Sequence, residues 1–282
     1  MRSMMLALLV LCSIPQSAES RELPPRIVMM WQVTGKDYAN DFNVLKRAGI
    51  NTVQSFALAG MDPAYVDGYL DAAQAAGVGV VAYIGGMVQG QGATCALSEA
   101  GAAFVKQHAD APAMLAWHTV DEPVNHKVTK ECQRRLYEQV KSLDPKHLVM
   151  MSINFTKQGE YDGYFDERAF DFLDLHRYVN PDVGPAQQRL VDLFRQNRTR
   201  NYRVIVTLRA FDAPGKVRRE SMQAGGLASQ YEYFFVKNRI GDDIGFYGWQ
   251  LAPNLGISQI DWLRQEFGRL ALEKKLSAAP NE

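Results

Sequence analysis

The sequence is short of several things. It carries three cysteines in 282 residues, and Cys12 lies within the first twenty. Cys95 and Cys132 are too few for a disulfide-built scaffold and, without clustered histidines, too few for a zinc site. Net charge is missing too, with 31 basic and 31 acidic residues. A neutral chain has no long-range pull on nucleic acid or anionic membrane. The dense basic spots, "RQNRTRNYR" (195–203) and "KVRRE" (216–220), read as a solvated helix end or loop. No nucleic-acid partner is expected. No Gly-x-Gly-x-x-Gly follows the first apolar segment, which argues against a doubly wound dinucleotide fold. Neither cofactor nor metal is expected.

Long apolar runs are also lacking. The nearest is at the start, where "MRSMMLALLVLCSIPQSAES" has Arg2, an apolar run from Met4 to Leu11, then Ala18 and Ser20. That order is the pattern of a secretory signal peptide, and the run is shorter than the roughly 20 residues that span a bilayer. Residues 1–20 are expected to be a signal peptide, with an uncleaved anchor as the alternative. The mature chain should be secreted or periplasmic, without stable membrane insertion. In that oxidising setting Cys95 and Cys132 either bridge or remain two buried thiols.

What is present is a rhythm. "RIVMMWQV" (26–33), "NTVQSFAL" (51–58), "VGVVAYIG" (78–85), "AMLAWHTV" (113–120), "HLVMMSIN" (147–154), "FDFLDLHRYV" (170–179), "RVIVTLRAF" (203–211) and "DIGFYGWQL" (243–251) read as strands. Helical spacing follows each, short and irregular only over 155–169. The strands are continuous apolar runs, as in a parallel sheet covered on both faces. Eight strand–helix units over about 250 residues predict a single α/β domain, a (β/α)8 TIM barrel over 21–275, with 276–282 as a tail.

Such a barrel places its site at the C-terminal strand ends. Those ends supply Trp31, Gln32, Gln54, Ser55, Tyr83, His118, Asp121, Glu122, Ser152, Asn154, His176, Tyr178, Arg209, Trp249 and Gln250. Asp182 and Asp212 follow just beyond. Amides, aromatics and carboxylates together suit a carbohydrate, which offers hydroxyls and C–H faces. Each has a structural alternative: the tryptophans as core, His118 as a hydrogen-bonded support, Asp121 as the N-cap of the fourth helix. His108, His126 and His147 read as structural. Asp121 and Glu122 differ from surface acids, because they end an apolar strand and precede Pro123.

"WHTVDEP", "SLDPKHLV", "DLHRYV" and "GFYGWQ", in that order, resemble segments of clan A glycoside hydrolases and related TIM-barrel proteins. The resemblance implies Glu122 as general acid/base, with a pKa raised by burial beside Trp117 or Trp249. It implies Trp249 as a sugar platform and His176 or Tyr178 approaching from strand six. It also implies a nucleophilic glutamate on strand seven, where this chain has Leu208 and Arg209. Asp212, Asp121 or Asp182 could supply the second carboxylate, or the barrel could bind glycan without cleaving it. Arg209 could instead grip an acidic sugar. A metal-assisted site from His118, Asp121 and His176 is a further alternative.

Overall fold

The computed structural model describes residues 24–178, 183–212, 225–249, 255–259 and 261–273. Eight parallel strands form its centre: β1 (Val28–Trp31), β2 (Thr52–Ser55), β3 (Gly79–Tyr83), β4 (Met114–Asp121), β5 (Leu148–Ile153), β6 (Phe172–His176), β7 (Arg203–Arg209) and β8 (Asp243–Tyr247). Each pairs with its sequence neighbours, and β1 pairs with β8, so the sheet closes into a barrel. The helices are α1 (Tyr38–Arg47), α2 (Pro63–Ala76), α3 (Glu99–His108), α4 (Lys130–Leu143), α5 (Gln158–Tyr164), α6 (Pro185–Asn197), α7 (Gly226–Tyr231) and α8 (Asp261–Glu273). A π-helical segment, Glu232–Lys237, prolongs α7. Among the described residues no helix is long and apolar enough to cross a membrane.

Local chemistry sets the helix starts. Asp62 accepts from the Tyr65 amide, with Pro63 already in helical φ, and Gly77 ends α2 at φ 65°. Ser98 and Thr129 cap α3 and α4 in the same way. Thr129 therefore takes the cap that Asp121 could have supplied, and Asp121 remains on its strand.

Strand alternation divides the apolar residues between two cores. Met29, Trp31, Val81, Leu115, Met150, Phe172 and Ile205 fill the barrel. Trp117, Val120, Leu173, Leu208 and Trp249 belong to the layer under the helices. This overturns the placement of two tryptophans. Trp117 points outward and donates to Asp144 Oδ2 at 2.8 Å, and His147 Nδ1 lies 2.6 Å from the same oxygen. Within "DPKH", Asp144 and His147 are thus a buried clasp at the end of α4, while Pro145 and Lys146 are exposed. Trp249 is buried in the outer layer, near Asp41 of α1.

The loop after β3 carries a small hairpin, Val88–Gln89 against Ala96–Leu97. A Cys95–Cys132 disulfide ties it to the first turn of α4, across 37 residues of chain. Replacing both cysteines by serine is expected to lower stability by roughly 2–4 kcal/mol, since the unfolded chain regains that loop's freedom. A urea titration of the variant beside the oxidised protein reads this as a lower midpoint, with an equal or steeper slope because the unfolded chain is less compact.

Candidate active site

The mouth is organised by one chain of hydrogen bonds. Trp31 Nε1 donates to Thr207 Oγ1 at 3.1 Å. Thr207 in turn donates to Asp174 Oδ1. His176 Nδ1 lies 2.7 Å from Asp174 Oδ2, and His176 Nε2 lies 2.9 Å from Glu122 Oε1. Asn125 donates to the other Glu122 oxygen, Oε2. Asp174 and His176 are two apart on β6, so both face inward. Thr207 does so from β7. Gly245 on β8 makes room, since a Cβ there would lie 2.2 Å from Thr207 Oγ1 and 3.1 Å from Trp31 Nε1. Gly245→Ala should therefore cost about 1–3 kcal/mol by overpacking, measurable as a lower thermal midpoint.

Two carboxylates flank His176, so both ring nitrogens donate. Burial opposes its charge, but the hydrogen bonds it donates to Asp174 and Glu122 prevail and raise its pKa to about 10. The ring is an imidazolium. Burial likewise opposes ionisation of Glu122. The hydrogen bond and charge of His176, with hydrogen bonds from Asn125 and Asn154, outweigh it and bring Glu122 down to about 2. The raised pKa expected for Glu122 is absent, because neither Trp117 nor Trp249 shares its surroundings and a cation does.

The raised pKa belongs to its neighbour. Burial lifts Asp121 to about 6, the charge of His176 lowers it only partly, and the negative charges of Glu122 and Asp174 add to the rise. Among the described residues the Asp121 side chain accepts no hydrogen bond. Glu122 also departs from strand geometry, with φ 43°. Left-handed backbone in a non-glycine residue persists only where surroundings hold it, often at functional positions. Here Asn125 and His126 amides bond the Glu122 carbonyl, and His176 fixes the side chain.

Aromatic rings line the rest. Tyr178 stacks on His176 with centroids 4.8 Å apart and lies 4.9 Å from Tyr247. Burial raises the pKa of Tyr83 to about 12, and burial raises that of Tyr247 as well. Gln32, itself at φ 64°, donates to Tyr247 Oη at 3.3 Å. His118 sits below. Its Nε2 is 3.1 Å from the Val120 carbonyl and 3.0 Å from Ser152 Oγ, and its Nδ1 is 3.4 Å from Gln54 Nε2. Burial pushes His118 down to about 3, so it is a neutral support.

Other candidates fall outside this group. Arg209 ends β7 where the resemblance implies a glutamate. It is 3% exposed, donates to the Phe211 carbonyl at 3.3 Å and stacks 5.2 Å over the Phe211 ring. Its backbone is locked to Gln230. Asp212 closes a two-residue strand paired with Leu255–Gly256. Asp182 and Gln250 lie outside the described residues. Asp174, Thr207, Asn125 and Tyr247 were not singled out in the sequence. The i, i+2 spacing of Asp174 and His176 within an apolar strand was the available signal. No His, Cys, Asp and Glu grouping fit for a metal occurs among the described residues.

A closed parallel barrel of eight strands, with acids and aromatic rings at its C-terminal mouth, is the architecture shared by many glycoside hydrolases. No family model matches the sequence, and neither does any curated protein. Solved structures do match in fold. A GH99 endo-α-mannosidase of Bacteroides thetaiotaomicron is 10% identical, with a TM-score of 0.63 over 87% of this chain and 81% of that one. A thermostable mutant of a Cellvibrio japonicus xylanase is 11% identical, with a TM-score of 0.54 over 89% of this chain and 97% of its own. A β-glucuronidase of Bacteroides uniformis, bound covalently to cyclophellitol-6-carboxylate aziridine, is 12% identical with a TM-score of 0.52 over 78% of this chain. The chain spans about 30% of that protein's length. The resemblance to glycoside-hydrolase TIM barrels therefore stands as a shared fold.

Proposed function

We propose that the protein is an exported glycoside hydrolase acting on a polysaccharide or oligosaccharide. Asp121 is the proton donor and Glu122 the ionised partner. What carries this is the pair of adjacent carboxyls at one barrel mouth whose surroundings drive their pKa values apart, Asp121 up to about 6 and Glu122 down to about 2, so that between those values one holds its proton while the other is ionised. Glycosidases need one carboxylic acid to protonate the leaving oxygen, and one carboxylate to attack the anomeric carbon or activate water. Two acids driven apart in pKa by their surroundings mark that division of labour. The left-handed turn at Glu122 frees its side chain from strict strand alternation, so both acids can serve one cleft. The aromatic rings suit sugar faces. Export rests on the N-terminal sequence.

A glycan-binding barrel without catalysis is the second reading, favoured by Arg209 at the end of β7. A reducing-end assay of the protein and its Glu122→Gln variant against a glycan panel separates the two. The hydrolase reading expects cleavage by the parent and loss of at least about 100-fold in the variant. Equal turnover by both would remove Glu122 from catalysis. Binding without any turnover would favour the second reading.

A further inference from the structure

A cavity of about 230 Å³ opens beside Asp121 between the ends of β3 and β4. Tyr83, Gln91, Thr119, Asp121, His126 and Lys127 are among the residues that line it, whereas Glu122 is not. Asp121 therefore stands at a boundary. Asp121 lines the cavity, whereas Glu122, His176, Tyr178 and Tyr247 do not. A general acid protonates the oxygen that departs, so the group beyond it is the leaving group. The volume is below the roughly 300–1,000 Å³ of sites for drug-sized ligands, which suits one sugar ring rather than a chain.

The cavity's charge is the second observation. Lys127 and His126, both exposed at its rim, bring basic side chains to it; neither has a hydrogen-bond or ion-pair partner among the described residues, and the charge of His126 acts on Asp121 across the cavity. Lys127 also holds a left-handed backbone at φ 54°, a place where glycine or asparagine is the ordinary occupant. The turn needs that conformation, because the Val128 amide reaches back to the Pro123 carbonyl at 2.8 Å. It does not need a lysine. The same turn supplies Asn125 to Glu122, so the cavity wall and the Glu122 clamp are one unit.

Building on the hydrolase reading, we propose that this cavity is the leaving-group subsite. It takes a single sugar carrying an anionic substituent, a uronate carboxylate or a sulfate ester, recognised by Lys127 with His126 beside it. The test is calorimetric titration of the whole protein with glucose, glucuronate and glucose 6-sulfate. One or both anionic sugars should bind roughly tenfold or more tighter than glucose, the size of one charge-assisted hydrogen bond. The tighter one identifies the anion. Lys127→Gly and Lys127→Met should each lose roughly that factor for the anionic sugar and leave glucose unchanged. Lys127→Gly suits the left-handed backbone, so its loss would report the ammonium and not the turn. Equal affinities for all three sugars, or unchanged affinity in both Lys127 variants, would overturn the inference. Binding needs no turnover, so the two proposals fail separately. Cleavage of glycans without Lys127-dependent binding removes only the subsite, and binding without cleavage removes only the hydrolase.

Discussion

Asp121→Asn should lower kcat/KM on a glycan by roughly 10²–10⁴, the usual contribution of a positioned proton donor. The amide keeps the shape of the side chain and cannot give up a proton at neutral pH. The loss should depend on the leaving group. A sugar alkoxide leaves poorly and needs the proton, whereas a dinitrophenolate leaves without it. The variant should therefore remain close to the parent on an activated aryl glycoside and fail on the natural linkage. Steady-state kinetics on both substrates read the split. A uniform loss on both would make Asp121 a structural residue.

Replacing His176 should have the largest effect on the fold and the site together. His176→Asn removes the cation between Asp174 and Glu122. Asp174 is fully buried, and breaking a buried pair from one side costs roughly 3–5 kcal/mol. The pH dependence of stability carries the same signature. His176 is raised from 6.5 to about 10, so its contribution is fully present below about 6.5 and is lost as pH rises towards 10. Glu122 is lowered from 4.5 to about 2, so its contribution is present above about 4.5 and is lost as pH falls towards 2. Asp121 works in the opposite sense. Its rise from 3.8 to about 6 means that the folded state holds the proton longer, and stability declines across that window as pH rises. Denaturant midpoints from pH 2 to 10 should show all three slopes in the parent. In His176→Asn the alkaline slope should vanish. Glu122, still buried but without its cation, should no longer titrate near 2. An alkaline slope that persists in the variant would assign it to another group.

The barrel was legible in the sequence because its unit repeats. Eight apolar strand segments and the helical spacing between them leave little choice of architecture, and closure follows from it. The mouth was legible only in part. Trp31, His176, Tyr178 and Glu122 emerge at strand ends, as the spacing predicts. Trp117 and Trp249 do not face the site, because a strand buried on both sides gives no polar alternation to tell inside from outside. The β4 register also shifts between His118 and Val120, and no sequence signal announces that bulge. The opposite pKa shifts of Asp121 and Glu122 were hidden for a different reason. They depend on His176 arriving from 54 residues away, and adjacency in sequence says nothing about which acid meets the cation. The two-residue strands after β3 and β7 are too short to leave a pattern.

The central claim is that a protonated Asp121 and an ionised Glu122 divide one hydrolytic reaction. The pH profile of kcat/KM on a cleaved glycan, for the parent, Asp121→Asn and Glu122→Gln, tests it most directly. The account predicts activity that falls above about pH 6 as Asp121 loses its proton. That limb should disappear from the residual activity of Asp121→Asn and survive in that of Glu122→Gln. A limb near 6 that persists in Asp121→Asn and vanishes in Glu122→Gln would return the acid to Glu122 and contradict the account.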